Sequence, residues 1–299
     1  MSAVTTQERA VAAETAPVRG RRGPRGPVVG AVVKYVVLCA LAVVFLAPFY
    51  ILLRNSFMTT AEVTSPDWKW LPGSLNLSNF RDLFSDTERP FARSLGNSLL
   101  IAAITAPVST LFASMAGYAL ARIDVRGRGL VLGMVVGTLM IPHAVTFLPM
   151  FVVVGSFGGV NTLWGLIVPG LFNAFAVILF RSFYLGFPAE IEEAGRVDGL
   201  THLGVYWRLI LPNSATMMAS LGALAFIEAW NSFLWPLMIG QDPSKWTAQV
   251  ALSSFLTSQT INLPVLFAGT VVAIFPLVVM FLVAQRYIVE GITASGLKS

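Results

Sequence analysis

The sequence predicts an all-α membrane protein with six transmembrane helices and both termini in the cytoplasm, and three observations predict it. Apolar residues make up 56% of the 299-residue chain and charged residues 12%, about half the charged share of an ordinary soluble domain. The apolar residues gather into six segments, about 30–53, 95–120, 130–154, 162–185, 214–240 and 264–286, each near or above the roughly 20 residues that a helix needs to cross hydrocarbon. With the N-terminus inside, all but six of the twenty Lys and Arg residues fall on the cytoplasmic side. The exceptions are Arg54, Lys69, Arg81, Arg89, Arg93 and Lys245, most of them in one long loop, where charge bias sets orientation only weakly.

The same counts exclude several function classes. A net charge of +5 could suggest nucleic acid, but the basic residues sit at the ends of apolar runs, where membrane orientation accounts for them. The single cysteine, Cys39, allows neither a disulfide framework nor a cysteine metal site. No GxxxxGK[ST] or HExxH pattern occurs, and the polar remainder is too small for a separate soluble enzyme domain. An intramembrane enzyme would need a clustered nucleophile and base or metal ligands, whereas Cys39, His143 and His202 are scattered.

Taken in order, residues 1–29 read as a disordered basic cytoplasmic tail. The stretch "APVRGRRGPRGP" cannot bury a core and suits anionic lipid. The apolar run at 30–53 is too long for a secretory signal, carries Lys34 and Pro48, and has no small-residue cleavage site after it, so it reads as a retained first span. Residues 54–94 form an extracytoplasmic loop, 95–286 the membrane core, and 287–299 a cytoplasmic tail. Within the spans, Pro48, Pro107, Pro142, Pro149, Pro169, Pro236 and Pro276 each remove a backbone donor and invite kinks.

One polar island interrupts the core: "EEAGRVDGLTHLGVYWRLILP", Glu192 to Pro212. Pro188 suits the first helical position, and Glu190, Glu192 and Glu193 complement the positive end of the helix dipole. Gly199 suits a left-handed stop, and Thr201 can cap a second helix running to Leu211 before Pro212. Ile191, Ala194, Val197 and Leu203, Tyr206, Leu209, Ile210 give the two halves apolar stripes. Residues 187–212 are thus a helix-turn-helix, and its physics allows either a solvated loop on the headgroups or a knob for a cytoplasmic partner.

The spacing of this stretch resembles the EAA loop of ABC importer permeases, a pattern of Glu-Ala-Ala, three residues, Gly, nine residues, Ile, one residue, Leu-Pro. Glu193-Ala194-Gly195 opens it, Gly199 follows, and Leu209-Ile210-Leu211-Pro212 closes it. Gly195 replaces the second alanine and Leu209 the isoleucine; Gly195 is expected to loosen the helix by about 1 kcal/mol. "FARSLGNSLLIA", "AGYALAR", "GVNTLWGLIVP", "EAWNSFLWPL" and "QRYIVEGITASGLKS" resemble the carbohydrate-uptake, maltose permease G-like branch, with likeness from about Leu38 to the C-terminus.

The resemblance implies the type I ABC importer permease fold in a bacterial cell membrane. It implies a second homologous permease, two ATPase subunits holding ATP and Mg, an extracytoplasmic solute-binding lipoprotein, and a sugar substrate. Glu193, Ala194, Gly195, Asp198, Gly199, Leu211 and Pro212 become the ATPase-docking residues, and Thr293, Gly296 and Lys298 candidates for tail contact. Glu228 and Asn231 are expensive in a membrane and must face a bundle, a partner or water, so with Asn173 they are pathway candidates, packing being the other reading. Trp230 and Trp235 are expected to pack. His143 is expected to be a hydrogen-bonded structural residue with no titratable companion nearby in sequence, and His202 to lie on the hairpin surface. An ion-coupled secondary transporter is the competing function, and it would need inverted repeats or paired carboxylates.

Overall fold

The computed structural model describes residues 28–124, 126–256 and 262–296. Lys298 and the tail before Val28 lie outside the described residues, as do the side chains of Thr293 and Gly296. Among the described residues all regular structure is helical. The chain divides into two units, 1–51 and 52–299.

The first unit consists, where described, of one helix. Helix α1 spans Val28–Ser56, and every side chain from Gly30 to Ile51 is exposed. A helix apolar on all faces and unburied is covered by lipid or by another chain.

The second unit opens with the last turn of α1, where Arg54, Asn55 and Ser56 are buried. The expected extracytoplasmic loop contains two short helices, α2 (Thr60–Val63) and α3 (Ser78–Ser85). Asn79 Nδ2 donates to the carbonyls of Ser56 and Met58, each at 2.9 Å, which fastens α3 to the end of α1. Thr59 and Glu62 form a reciprocal cap on α2. The backbone N–H of Thr59, and then that of Gly73, holds the Glu62 carboxyl below its ordinary range. This contribution is present above the unfolded-state value and is lost as pH falls through the lowered one.

Helix α4 (Phe91–Arg122) starts earlier than expected and is the centre of the bundle. It packs against α8 (Ala174–Leu185) and α12 (Ala215–Asn231), and α12 packs in turn on α15 (Leu263–Gly296). Its buried positions include Ala102, Ala106, Ser109, Ala113, Ser114, Gly117 and Ala121. Small side chains let backbones approach where lipid supplies no hydrophobic drive between helices. At Gly117 an added Cβ would lie 2.6 Å from Phe180 Cβ and 2.8 Å from the Arg181 backbone nitrogen.

Three expected spans are interrupted, each for a local reason. The run 130–154 is two helices, α5 (Arg128–Met140) and α6 (His143–Ser156), bent by 105°. Pro142 holds its predecessor Ile141 extended, at φ −91° and ψ 118°, which ends α5. The run 162–185 comprises α7 (Leu163–Ile167), a tight turn at Val168–Leu171 containing Pro169, and α8. Asn173 restarts the chain there, its side-chain oxygen accepting from Ala176 N at 2.9 Å. The run 214–240 gives α12 and then, past Ser232, α13 (Leu234–Ile239). Pro48, Pro107, Pro149 and Pro276 instead lie inside helices that continue through them. Among the described residues four helices are long and apolar enough to cross a membrane, or up to six if each of two bent pairs counts as one span. Helix α15 extends to Gly296, beyond the expected end at 286.

Replacing Gly117 with Val forces α4 and α8 apart. We expect a loss of about 1–3 kcal/mol, measured as an earlier thermal unfolding transition in detergent, with Gly117→Ala intermediate.

Candidate functional site

The hairpin forms where its caps predict. Helix α9 covers Ala189–Val197, with Pro188 as the residue before it (φ −57°, ψ 127°) rather than its first member. Gly199 takes φ +80°, a region costly for any side chain with a Cβ. Leu200 N then donates to Gly195 O at 2.9 Å, closing a left-handed cap. Thr201 Oγ1 accepts from Gly204 N at 3.2 Å and starts α10 (His202–Val205).

The expected single helix to Leu211 is corrected by a wide turn at Tyr206–Ile210, in which Leu211 N reaches back to Tyr206 O; α11 (Leu211–Asn213) follows. Pro212 has no N–H and crowds the carbonyl four residues back, and a widened turn relieves that crowding. The chain then bends by 79° into α12. At the bend the buried Ser214 hydroxyl donates to Ile210 O at 2.6 Å.

The apolar stripes divide between inner and outer faces. Val205, Tyr206 and Ile210 are buried, but Val197 is 88% and Leu203 59% exposed. The inward face of α9 carries Glu192 and Gly195 instead. Glu193, Ala194, Asp198, Gly199 and Pro212 are exposed and Leu211 half-buried. Gly195 is therefore an internal packing residue and not part of the accessible tip. His202 is exposed as expected, its ring nitrogen 3.3 Å from Arg196.

What draws Glu192 inward is Arg122, in the last turn of α4. Arg122 Nε lies 3.2 Å from Glu192 Oε1 and both side chains are largely buried. Nε donates to Tyr184 O at 2.8 Å, and a terminal nitrogen donates to Phe187 O. Tyr118 OH donates to Glu192 Oε2 at 3.5 Å. Ser114 Oγ joins the hydroxyls of Tyr184 and Tyr206 at 2.6 and 2.9 Å. The root of the hairpin is thus tied into α4 and α8 by a polar knot within an aromatic cluster. Sequence reasoning missed the knot. Its signal was the "AGYALAR" stretch, which holds Tyr118 and Arg122, but their partners lie far along the chain.

Gly195 sits where neighbouring side chains crowd closely against α9. An added Cβ would stand 2.6 Å from Leu209 Cδ1 and 3.2 Å from Val205 Cγ2. The two departures from the family pattern, Gly195 and Leu209, touch each other.

In the bundle, Asn173, Glu228 and Asn231 come together on one cavity of about 440 Å³, with Ser109 and Thr110. A neighbouring cavity of about 210 Å³ shares Ser109, Asn173 and Glu228 and adds His143 and Trp235. His143, with no titratable companion nearby in sequence, shares a cavity wall with Glu228. His143 is exposed, and among the described residues its ring has no hydrogen-bond partner, so the structural role expected for it is not seen. Trp230 is fully buried and donates to Ala273 O at 3.2 Å, as packing requires. Trp235 lines the smaller cavity while donating to Gly165 O at 3.0 Å. Among the described residues no three His, Cys, Asp or Glu groups gather as a metal site.

Residues 91–293 match the family of binding-protein-dependent transport system inner membrane components. The chain belongs to this family. It is 36% identical over 227 residues to an arabinooligosaccharides transport system permease protein of Halalkalibacterium halodurans, covering 76% of this chain and 81% of the relative. It is 27% identical over 264 residues to a lactose transport system permease protein of Rhizobium radiobacter, covering 88% and 95%. A crystal structure of a bacterial ABC transporter involved in the import of the acidic polysaccharide alginate contains a chain that superposes with a TM-score of 0.75 at 25% identity, covering 89% of this chain and 98% of that one. The fold is accordingly that of an ABC importer permease, a membrane component rather than an enzyme, and the family does not favour the ion-coupled alternative.

Two variants test the hairpin's root. Arg122→Gln strands a buried carboxylate and is expected to cost about 3–5 kcal/mol, seen as a lowered unfolding transition, whereas Arg122→Met with Glu192→Leu recovers most of it. Gly195→Ala is expected to lower stability, and Leu209→Ile, which carries one δ-carbon where leucine has two, to lessen the loss when combined with it. A double-mutant cycle measures that coupling.

Proposed function

We propose that this chain is the permease subunit of an ATP-driven sugar importer in a bacterial cell membrane. It supplies half of the translocation pathway and passes the work of a separate ATPase to it through the hairpin at 187–212. Four partners follow from the reading: a second homologous permease, two ATPase subunits that hold ATP and Mg, an extracytoplasmic solute-binding lipoprotein, and the sugar. Six spans with both termini cytoplasmic put the hairpin on the side where ATP is.

The observation that carries the reading is the hairpin's two-ended construction. Its tip exposes Glu193, Asp198 and Gly199 beside the apolar Val197 and Leu203, a mixture of charge and apolar area suited to a groove on a partner. Its root is anchored in α4 and α8 through Arg122 and Glu192. A short helix held this way moves as a body and carries the bundle with it. Thr293, Gly296 and Lys298 belong to the same reading as tail contacts with the ATPase.

The relatives' substrates support a saccharide and span neutral and acidic ones, from arabinooligosaccharides and lactose to polygalacturonan and alginate.

Gly199→Pro tests the lever, because proline is fixed near φ −65° and cannot adopt +80°. The expected result is a transporter that reaches the membrane with its partners and hydrolyses ATP but loses at least about tenfold in sugar uptake. Undiminished uptake by a correctly assembled variant would overturn the reading.

A further inference from the structure

We infer that the cavity centred on Glu228 is an electronegative site in the translocation pathway, one that admits uncharged and cationic polyhydroxylated solutes and turns anionic ones away. The inference rests on the reading of this chain as half of a sugar pathway and adds the class of solute that its own residues accept.

The cavity lies where α4, the start of α8 and the outer part of α12 meet. Its volume of about 440 Å³ falls within the range of small-molecule sites, roughly 300–1,000 Å³. Asn173, Asn231, Ser109 and Thr110 give it amide and hydroxyl groups, the chemistry that pairs with the hydroxyls of a polyol. Thr110 is 3% exposed and Thr105, in the adjoining cavity, 7%, yet neither hydroxyl has a hydrogen-bond partner. A buried hydroxyl left unpaired is costly, and a ligand or water in the cavity removes that cost.

Charge decides which ligand. Glu228 is the one carboxylate on either cavity, and neither Lys nor Arg lines them; His143, at the smaller cavity, is the other titratable group. Among the described residues Glu228 forms no ion pair. A carboxyl that merely fixed helix packing would have a partner, whereas this one faces open space. Glu228 is exposed, and an uncompensated carboxylate at the cavity wall repels an approaching anion and attracts a cation.

The test uses the complete transporter in membrane vesicles, in a Cys39→Ser background that leaves no other thiol in this subunit. Asn231→Cys, and separately Ser109→Cys, place a thiol on the cavity wall. Reaction rates are measured with the cationic 2-(trimethylammonium)ethyl and the anionic 2-sulfonatoethyl methanethiosulfonates and normalised to a free thiol. At either position the cationic reagent is expected to be favoured by about tenfold or more. Adding Glu228→Gln is expected to bring the ratio within about twofold of the free thiol, while Glu228→Asp keeps the preference. A ratio unchanged by Glu228→Gln, or no reaction of either thiol with either reagent, overturns the inference. ATP-dependent sugar uptake is followed on the Cys39→Ser vesicles. Its absence alongside the charge preference would defeat the sugar-importer reading and leave the electronegative cavity standing.

Discussion

The rest of the hairpin's packing is arranged around the place where Arg122 and Glu192 meet. A carboxylate and a guanidinium taken out of water gain little net stability from each other, since desolvation offsets most of their attraction. What such a pair provides is position. Arg122 also donates to the carbonyls of Tyr184 and Phe187, so one side chain joins the end of α4, the end of α8 and the inward face of α9. Without it, α9 would be an amphipathic segment free to slide on the headgroups. With it, α9 is joined to α4 and α8, two of the three helices that line the polar cavity.

That cavity depends on the interruptions in its walls. Asn173 is on the surface of the cavity because the chain breaks at Val168–Leu171 and must be capped again before α8. His143 reaches the smaller neighbouring cavity, where Pro142 turns α6 sharply away from α5. A bundle of straight spans would pair these polar groups internally or leave them facing lipid. Breaks in the helices bring them to two adjoining volumes that share Ser109, Asn173 and Glu228.

Much of this is legible in the sequence where the signal is local. Pro188, Gly199, Thr201 and Pro212 delimit the hairpin because caps act within a few residues, and the apolar runs find the helices because length and composition suffice. Long-range facts are not legible in the same way. No spacing rule pairs Arg122 with Glu192, or His143 with Glu228. Nor does a proline declare whether it ends a helix, as Pro142 does, or lies within one, as Pro107 and Pro276 do, because the outcome rests on what neighbouring helices can re-satisfy. Nor does an apolar stripe say which way it faces: Val197 lies outward, while a buried ion pair takes the inner face of α9 for Glu192.

The contact between Gly195 and Leu209 constrains how such a hairpin can change over time. Glycine leaves the leucine δ-carbon its place, whereas an alanine Cβ there would stand 2.6 Å from it. The side chain tolerated at position 195 thus depends on the one at 209, and a loop moved into another permease is expected to settle best when both positions travel together.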